Sequence, residues 1–191
     1  MPVAATPFSF DADRHSLDFL STLSNRGSEA AVERLPDAAS LAAWLDAAGL
    51  GPLAGRVTRS ELAAARGLRE AIFGVVDAAM RGESPAAKAV DRVNLVAEPA
   101  LPPLRLVREQ RGIAVQRRPL SVPEALGAVA RDAIDLLAGE SVSRLRECEA
   151  EDCTGLYLDA SHGRRRRWCS AARCGNRARV SAHRARARRD D

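Results

Sequence analysis

Apolar residues recur along the first two thirds of the chain at three- and four-residue intervals, the spacing that gathers side chains on one face of an α-helix. Phe8 and Phe10 alternate with polar neighbours as a short strand or extended lead-in. Leu17, Leu20 and Leu23 predict a first helix over roughly Ser16 to Ser24, broken by Asn25-Arg26-Gly27-Ser28. Leu41, Trp44, Leu45 and Ala48 predict a second, capped by Asp37 or Ser40 and ended by Gly49. Thr58-Arg-Ser-Glu61 is a capping box, in which hydroxyl and carboxylate each satisfy a backbone N–H that the first helical turn leaves without a partner. It opens the longest helix, with Leu62, Ala65, Leu68, Ile72, Val75, Val76 and Ala79 on one stripe and Gly82 as its stop. Ser84-Pro85, a cap followed by proline, reads as the start of a fourth helix that buries Val90, Val93 and Ala97. Leu104 to Arg108 and Ile113 to Arg117 then alternate about Glu109-Gln-Arg-Gly112, which predicts an antiparallel hairpin. A second capping box, Ser121-Val-Pro-Glu124, opens a helix with Leu126, Val129, Ala133, Leu136 and Leu137 inward and Gly139 at its end.

Beyond the short linker Gly139 to Ser143 the helical pattern gives way to cysteines. All four lie in two pairs, Cys148/Cys153 and Cys169/Cys174, with four residues inside each pair and fifteen between pairs. Each pair supplies two thiolates from one tight turn, and the intervening segment is long enough for a hairpin that brings the turns together. This is the ligand pattern of a tetrahedral Zn²⁺ site. Two disulfides, or four unliganded thiols, are the alternatives. Leu156-Tyr-Leu158 reads as a strand, His162-Gly163 as a turn, and a helix is expected from near Ser170 toward Arg188. Turn, hairpin and helix in that order make a treble clef. The fold class is therefore α+β: a mainly helical N-terminal domain (residues 1–139) with an antiparallel hairpin, and a C-terminal zinc finger (residues 140–191) with four cysteine ligands.

Charge distribution adds a partner to this picture. The chain carries a formal net charge of +4, but residues 1–142 hold 16 basic and 18 acidic residues, whereas residues 143–191 hold 13 and 7. Lys88 is the only lysine, so arginine richness partly reflects composition; the clustering does not. A basic face on a metal-stapled module is the electrostatic footprint of a nucleic-acid binder. Candidate contacts are Arg164, Arg165, Arg166 and Arg167 in the turn, suited to phosphates, and Arg173, Arg177, Arg179, Arg184 and Arg188 along the last helix. Arg177 has a competing role as the ion-pair partner of Asp159. Trp168 reads as a plug over the zinc, Tyr157 as packing, and Trp44 as core.

At 191 residues the chain accommodates one ordinary domain and a small one. Its first ten residues lack the basic start and apolar run of a secretory signal, and no stretch approaches a membrane span. The expectation is a cytoplasmic protein, where thiols stay reduced and available to metal. No phosphate-binding glycine loop, HExxH or nucleophile elbow occurs, and His15, His162 and His183 are scattered, so no catalytic activity is expected. The N-terminal domain has room for a small-molecule effector between its long helix and the hairpin, or for a homodimer contact. Duplex DNA is the expected partner of the finger; RNA or the ribosome, or an acidic protein, are the alternatives.

The run Cys174-Gly-Asn-Arg177, preceded by Trp168-Cys-Ser170 and the earlier Cys148/Cys153 pair, resembles the CGNR zinc finger. The stretches Ser16 to Leu23 and Leu41 to Leu50 resemble the ABATE domain, which precedes this finger in bacterial proteins described as stress-induced transcription regulators. The family commonly carries Asn-Thr where this chain has Ser21-Thr22. What the resemblance implies is an α/β N-terminal domain, a treble-clef finger and a DNA-binding regulatory role.

Overall fold

A computed structural model describes residues 8–150 and 153–187. Six α-helices and three two-stranded antiparallel hairpins occur among these residues, in the order α1 (His15–Leu20), β1 (Leu23–Ser24), β2 (Val32–Glu33), α2 (Ala38–Ala47), α3 (Arg59–Arg81), α4 (Ala87–Ala97), β3 (Arg105–Glu109), β4 (Gly112–Gln116), α5 (Val122–Ala138), β5 (Leu145–Glu147), β6 (Leu156–Leu158) and α6 (Asn176–Ala187). No helix among the described residues is long and apolar enough to cross a membrane.

Local chemistry sets most helix starts. Asp37 and Ser40 are not competing caps for α2 but the two halves of one capping box, with Ser40 N–H on Asp37 Oδ1 at 2.8 Å and Asp37 N–H on Ser40 Oγ at 3.1 Å. The Thr58/Glu61 and Ser121/Glu124 boxes open α3 and α5 as their spacing predicts. Gly82 closes α3 with φ +68°, a left-handed conformation that glycine adopts without a Cβ clash. The fourth helix departs from expectation. Ser84 and Pro85 do not cap it; Ala86 stays extended (φ −60°, ψ 131°) and α4 begins at Ala87. Its inward stripe starts only at Ala89, so nothing apolar rewards an earlier start, and of Val90, Val93 and Ala97 only Val93 is fully buried.

The core sits where α1, α3, α4 and α5 pack on one another, with α2 laid across α3. Trp44 is completely buried, its ring stacked on Phe10 and tilted against Phe19 at 4.9 Å. The predicted hairpin forms as β3–β4, with Leu106 opposite Val115 and Arg108 opposite Ile113. It contributes nothing to the core: Leu104, Leu106, Ile113 and Val115 are exposed. The first helix ends at Leu20, shorter than its leucine spacing suggests, because Leu23 and Ser24 leave the helix to pair with Val32 and Glu33.

A buried cation organises the loop between α1 and α2. Arg69 of α3 is 2% exposed. Its guanidinium meets Glu33 bidentately at 2.8 and 2.5 Å, Thr22 Oγ1 at 3.0 Å and Glu70 at 3.0 Å. Glu33 is held below its ordinary pKa by those bonds against the opposing effect of burial, which acts to raise it. The loop is thereby pinned to α3, which matters because it forms one wall of the site described below.

The core boundary does not follow the linker. Leu145, Leu156, Tyr157 and Leu158 from the cysteine-bearing segment belong to the same buried cluster as Leu17, Phe19 and Leu136. Leu158 N–H bonds Ala12 O at 3.2 Å, and a 3₁₀ turn over Glu140–Arg144 replaces the linker.

Asp18, 6% exposed on α1, accepts Ala12 N–H at 3.0 Å and is pushed up to about 6, chiefly by burial. A carboxyl whose pKa is raised by folding favours the native state while protonated, so its contribution fades as pH climbs from about 4 to 6. The Asp18→Asn variant keeps an acceptor for Ala12 and should lose this pH dependence. Urea melts should find it more stable than the parent at pH 7, by on the order of 2 kcal/mol, with the difference shrinking below pH 4.

Candidate metal centre and the basic face around it

Strands β5 and β6 form a hairpin whose loop carries Cys148 and Cys153. Cys148 N–H on Gly155 O (2.9 Å) and Cys153 N–H on Ala150 O (3.0 Å) draw this loop into a tight turn. The second pair lies on a different element. Ser170 caps a π-helical turn over Ala171–Gly175 that leads directly into α6, placing Cys174 in the wide turn and Cys169 just ahead of it.

The four Sγ atoms lie within 4.8 Å of one another. Cys153 and Cys169 sulfurs are 3.6 Å apart and those of Cys169 and Cys174 are 3.7 Å apart. A tetrahedron with Zn–S bonds of about 2.3 Å has edges of about 3.8 Å, so the spacing fits zinc, and it is far beyond the ~2.05 Å of a disulfide. All four cysteines are free thiols. Crowding shows in their acidity: Cys153 is pushed down to about 5, first by the hydrogen bond from Cys169, and Cys169 is pushed up by the same pairing. Cys174 is pushed up to about 11 by burial. Neutral surroundings let one thiol ionise at its neighbours' cost; a divalent cation at the centre allows all four to be thiolates.

Supporting contacts are built into the sequence between the ligands. Gly155 N–H points at Cys153 Sγ (3.4 Å), and a Cβ on Gly155 would stand 3.1 Å from Cys169 Sγ and 3.2 Å from Cys153 Sγ. Only glycine leaves both sulfurs in place. Arg177 Nη2 lies 3.4 Å from Cys174 Sγ, offsetting thiolate charge. The expected Arg177–Asp159 pair does not form among the contacts described: Asp159 is buried and takes Ser161 Oγ, Ser161 N–H and Arg166 N–H instead, which together hold its carboxyl below the usual range. Trp168 is half-buried against Gly175, with the Arg167 guanidinium 5.0 Å from its ring centre. Tyr157 is buried and donates its hydroxyl to Arg166 O at 2.5 Å.

The nine candidate arginines separate into distinct environments. Arg166 is committed to the fold. Its guanidinium donates to the carbonyls of Asp11, Trp168 (2.9 Å) and Cys169 (2.6 Å), pairs with Asp13 at 2.5 Å and lies over the Tyr157 ring at 4.5 Å. Arg167 pairs with Glu149 at 2.6 Å while remaining exposed, and Arg173 faces Asp11 at 4.0 Å. Arg164, Arg165, Arg179 and Arg184 are exposed, and no acidic partner is found for them among the described residues. Arg164 adopts φ +48°, which turns the chain at the tip of the basic run. Arg188 lies outside the described residues. His162 is exposed, and His15 Nε2 donates to Ala48 O at the end of α2 (2.8 Å).

Sequence reasoning passed over Gly155, whose signal was its place two residues after a ligand, and it placed Arg166 among the phosphate contacts because nothing short of the fold tells it from its three neighbours. Gly155→Ala should weaken zinc retention about tenfold in a chelator competition, the scale for disturbing a group that supports the ligands. Arg166→Met should keep full zinc stoichiometry and yet lower stability by about 2–3 kcal/mol, read by urea melts of the zinc-loaded protein.

No curated protein matches this chain. Residues 144–187 match the family described as "CGNR zinc finger", which accords with the four-thiol geometry and makes zinc the metal of this site. Residues 13–140 match the family "ABATE", described as "Putative stress-induced transcription regulator". With both matches falling in one chain, the protein belongs to the ABATE family and carries a CGNR zinc finger at its C-terminal end.

Proposed function

We propose that this chain is a DNA-binding transcription regulator whose zinc finger has the treble-clef arrangement and meets the duplex through its outward basic face. The observation that carries this reading is the division of the arginines. Arg164, Arg165, Arg179 and Arg184 point to solvent with no acidic partner among the described residues. A guanidinium left without an internal carboxylate keeps its full charge for a phosphate, and each phosphate neutralised releases counterions.

Supporting it further, α6 places none of its described residues in the hydrophobic core, and Val180 is 41% exposed. A basic helix with none of its described residues in the core can lie along or within a groove. The hairpin β5–β6 carries the first ligand pair and the entry to α6 carries the second, which is the treble-clef order of turn, hairpin and helix. Four thiolate ligands complete the tetrahedron, so the metal holds the finger together and does not activate water. Arg164 and Arg165 would contact phosphates from the turn, with Arg179 and Arg184 reaching the duplex from the helix. Structured RNA is the competing partner, because phosphate contact serves both.

Binding to a duplex pool and to a structured RNA at equal salt separates the two. Replacing Arg164 and Arg165 by Gln should flatten the dependence of log affinity on log salt by about 2 and leave zinc content unchanged. An unaltered slope would remove these residues from the interface, and tighter binding to RNA would move the function to that class.

A further inference from the structure

The loop between α1 and α2 faces the zinc finger across a cleft of ≈ 540 Å³, within the range of small-molecule sites. Leu20, Leu23, Arg34 and Phe73 line one side; Leu156 and Arg173 line the other. Cys153, Cys169 and Cys174 border it as well, but a metal ion among their sulfurs takes up only a small part of such a volume, and more than half of the other lining residues come from the α1–α2 loop, α1 and α3. The two sides are held in register by Arg26 N–H, which bonds Thr154 Oγ1 at 3.3 Å.

The charge of this cleft is one-sided. Among the described residues, Arg26, Arg34, Arg173 and Arg177 line it, and no Asp or Glu does. Two of the four have strong internal counter-charges: Arg26 meets Glu70 at 2.5 Å, and Arg177 lies 3.4 Å from the Cys174 sulfur. Arg34 uses its backbone N–H on Thr22 O, while its guanidinium has no partner among the described residues. Among the described residues Arg173 has only the 4.0 Å approach of Asp11, between side chains that are each about half exposed, where water screens the attraction. Beside these charges Leu23 and Val32 supply apolar surface, with Phe73 lying 4.5 Å beneath the Arg26 guanidinium. Convergent cations beside an apolar surface select a molecule with an acidic group at one end and an apolar body at the other.

We infer that this cleft binds a small organic anion, its acid group held by Arg34 from the loop and Arg173 from the finger, and its apolar body on Leu23, Val32 and Phe73. Such a ligand bridges the N-terminal loop and the metal-bearing module. The site is thus placed to carry the presence of a metabolite from one to the other. It stands whether or not the finger reads DNA.

The test uses the zinc-loaded full chain without nucleic acid. The probe is 8-anilinonaphthalene-1-sulfonate, an aromatic sulfonate, compared by fluorescence titration with N-phenyl-1-naphthylamine, the same body without the acid group. One saturable site per chain is expected, at least about fivefold tighter for the sulfonate, since loss of one charge-assisted contact is worth that much. Arg34→Gln should weaken the sulfonate about fivefold or more, with Arg34→Lys restoring most of the affinity. Ala172→Trp, which adds bulk from the exposed finger side without changing charge, should block both probes while leaving zinc content intact. Absence of a saturable site, equal affinity for the two probes, or indifference to both Arg34→Gln and Ala172→Trp would overturn the inference.

Discussion

Four sulfur atoms within 4.8 Å of one another can all be ionised only around a cation, and the C-terminal module is built on that constraint. Its strands β5 and β6 are three residues each, too short to hold a hairpin by themselves. Zinc supplies what the core cannot, about 10–16 kcal/mol in isolated finger peptides. Several local choices then become necessary. Gly155 must lack a side chain because two sulfurs stand where its Cβ would press. The wide turn over Ala171–Gly175 carries Cys174 into the cluster before the chain settles into an ordinary α-helix.

Metal alone does not explain how the module sits on the rest of the protein. Leu145, Leu156, Tyr157 and Leu158 continue the core of the N-terminal helices, so the finger is docked by hydrophobic burial as well as stapled by zinc. Arg166 reinforces the junction, its guanidinium spread over the carbonyls of Asp11, Trp168 and Cys169 and the carboxylate of Asp13. One member of a four-arginine run is thereby spent on structure. Its neighbours Arg164 and Arg165 keep their charge for solvent or a partner. The same docking creates the cleft above the metal, since its walls come from segments more than a hundred residues apart in the chain.

Where a structural element depends on residues three or four positions apart, it was legible in advance. The boxes at Thr58/Glu61 and Ser121/Glu124 are of this kind, as is the zinc ligand set, whose pairs each close a local turn. Elements that depend on distant partners were misjudged. Leu23 looked like the end of a helical stripe, but a pairing with Glu33 and the buried Arg69 below it drew this segment out of the helix. The alternation at Leu104 to Gln116 correctly marked a hairpin, yet period alone does not say whether a sheet face has anything to cover it, and this one is exposed.

The chain by itself determined the helices, the two cysteine pairs, the metal they hold and the concentration of positive charge toward residue 191, because each follows from residue type and short-range spacing. Only the tertiary structure decided which arginines are free to act. Arg166 and Arg167 are adjacent and chemically identical, but one is drawn over Tyr157 and into the carbonyls of Asp11, Trp168 and Cys169, while the other stays exposed beside Glu149. Their fates differ because hydrogen-bond acceptors are arranged in space by the packing of the finger against α1, and no local pattern encodes that arrangement.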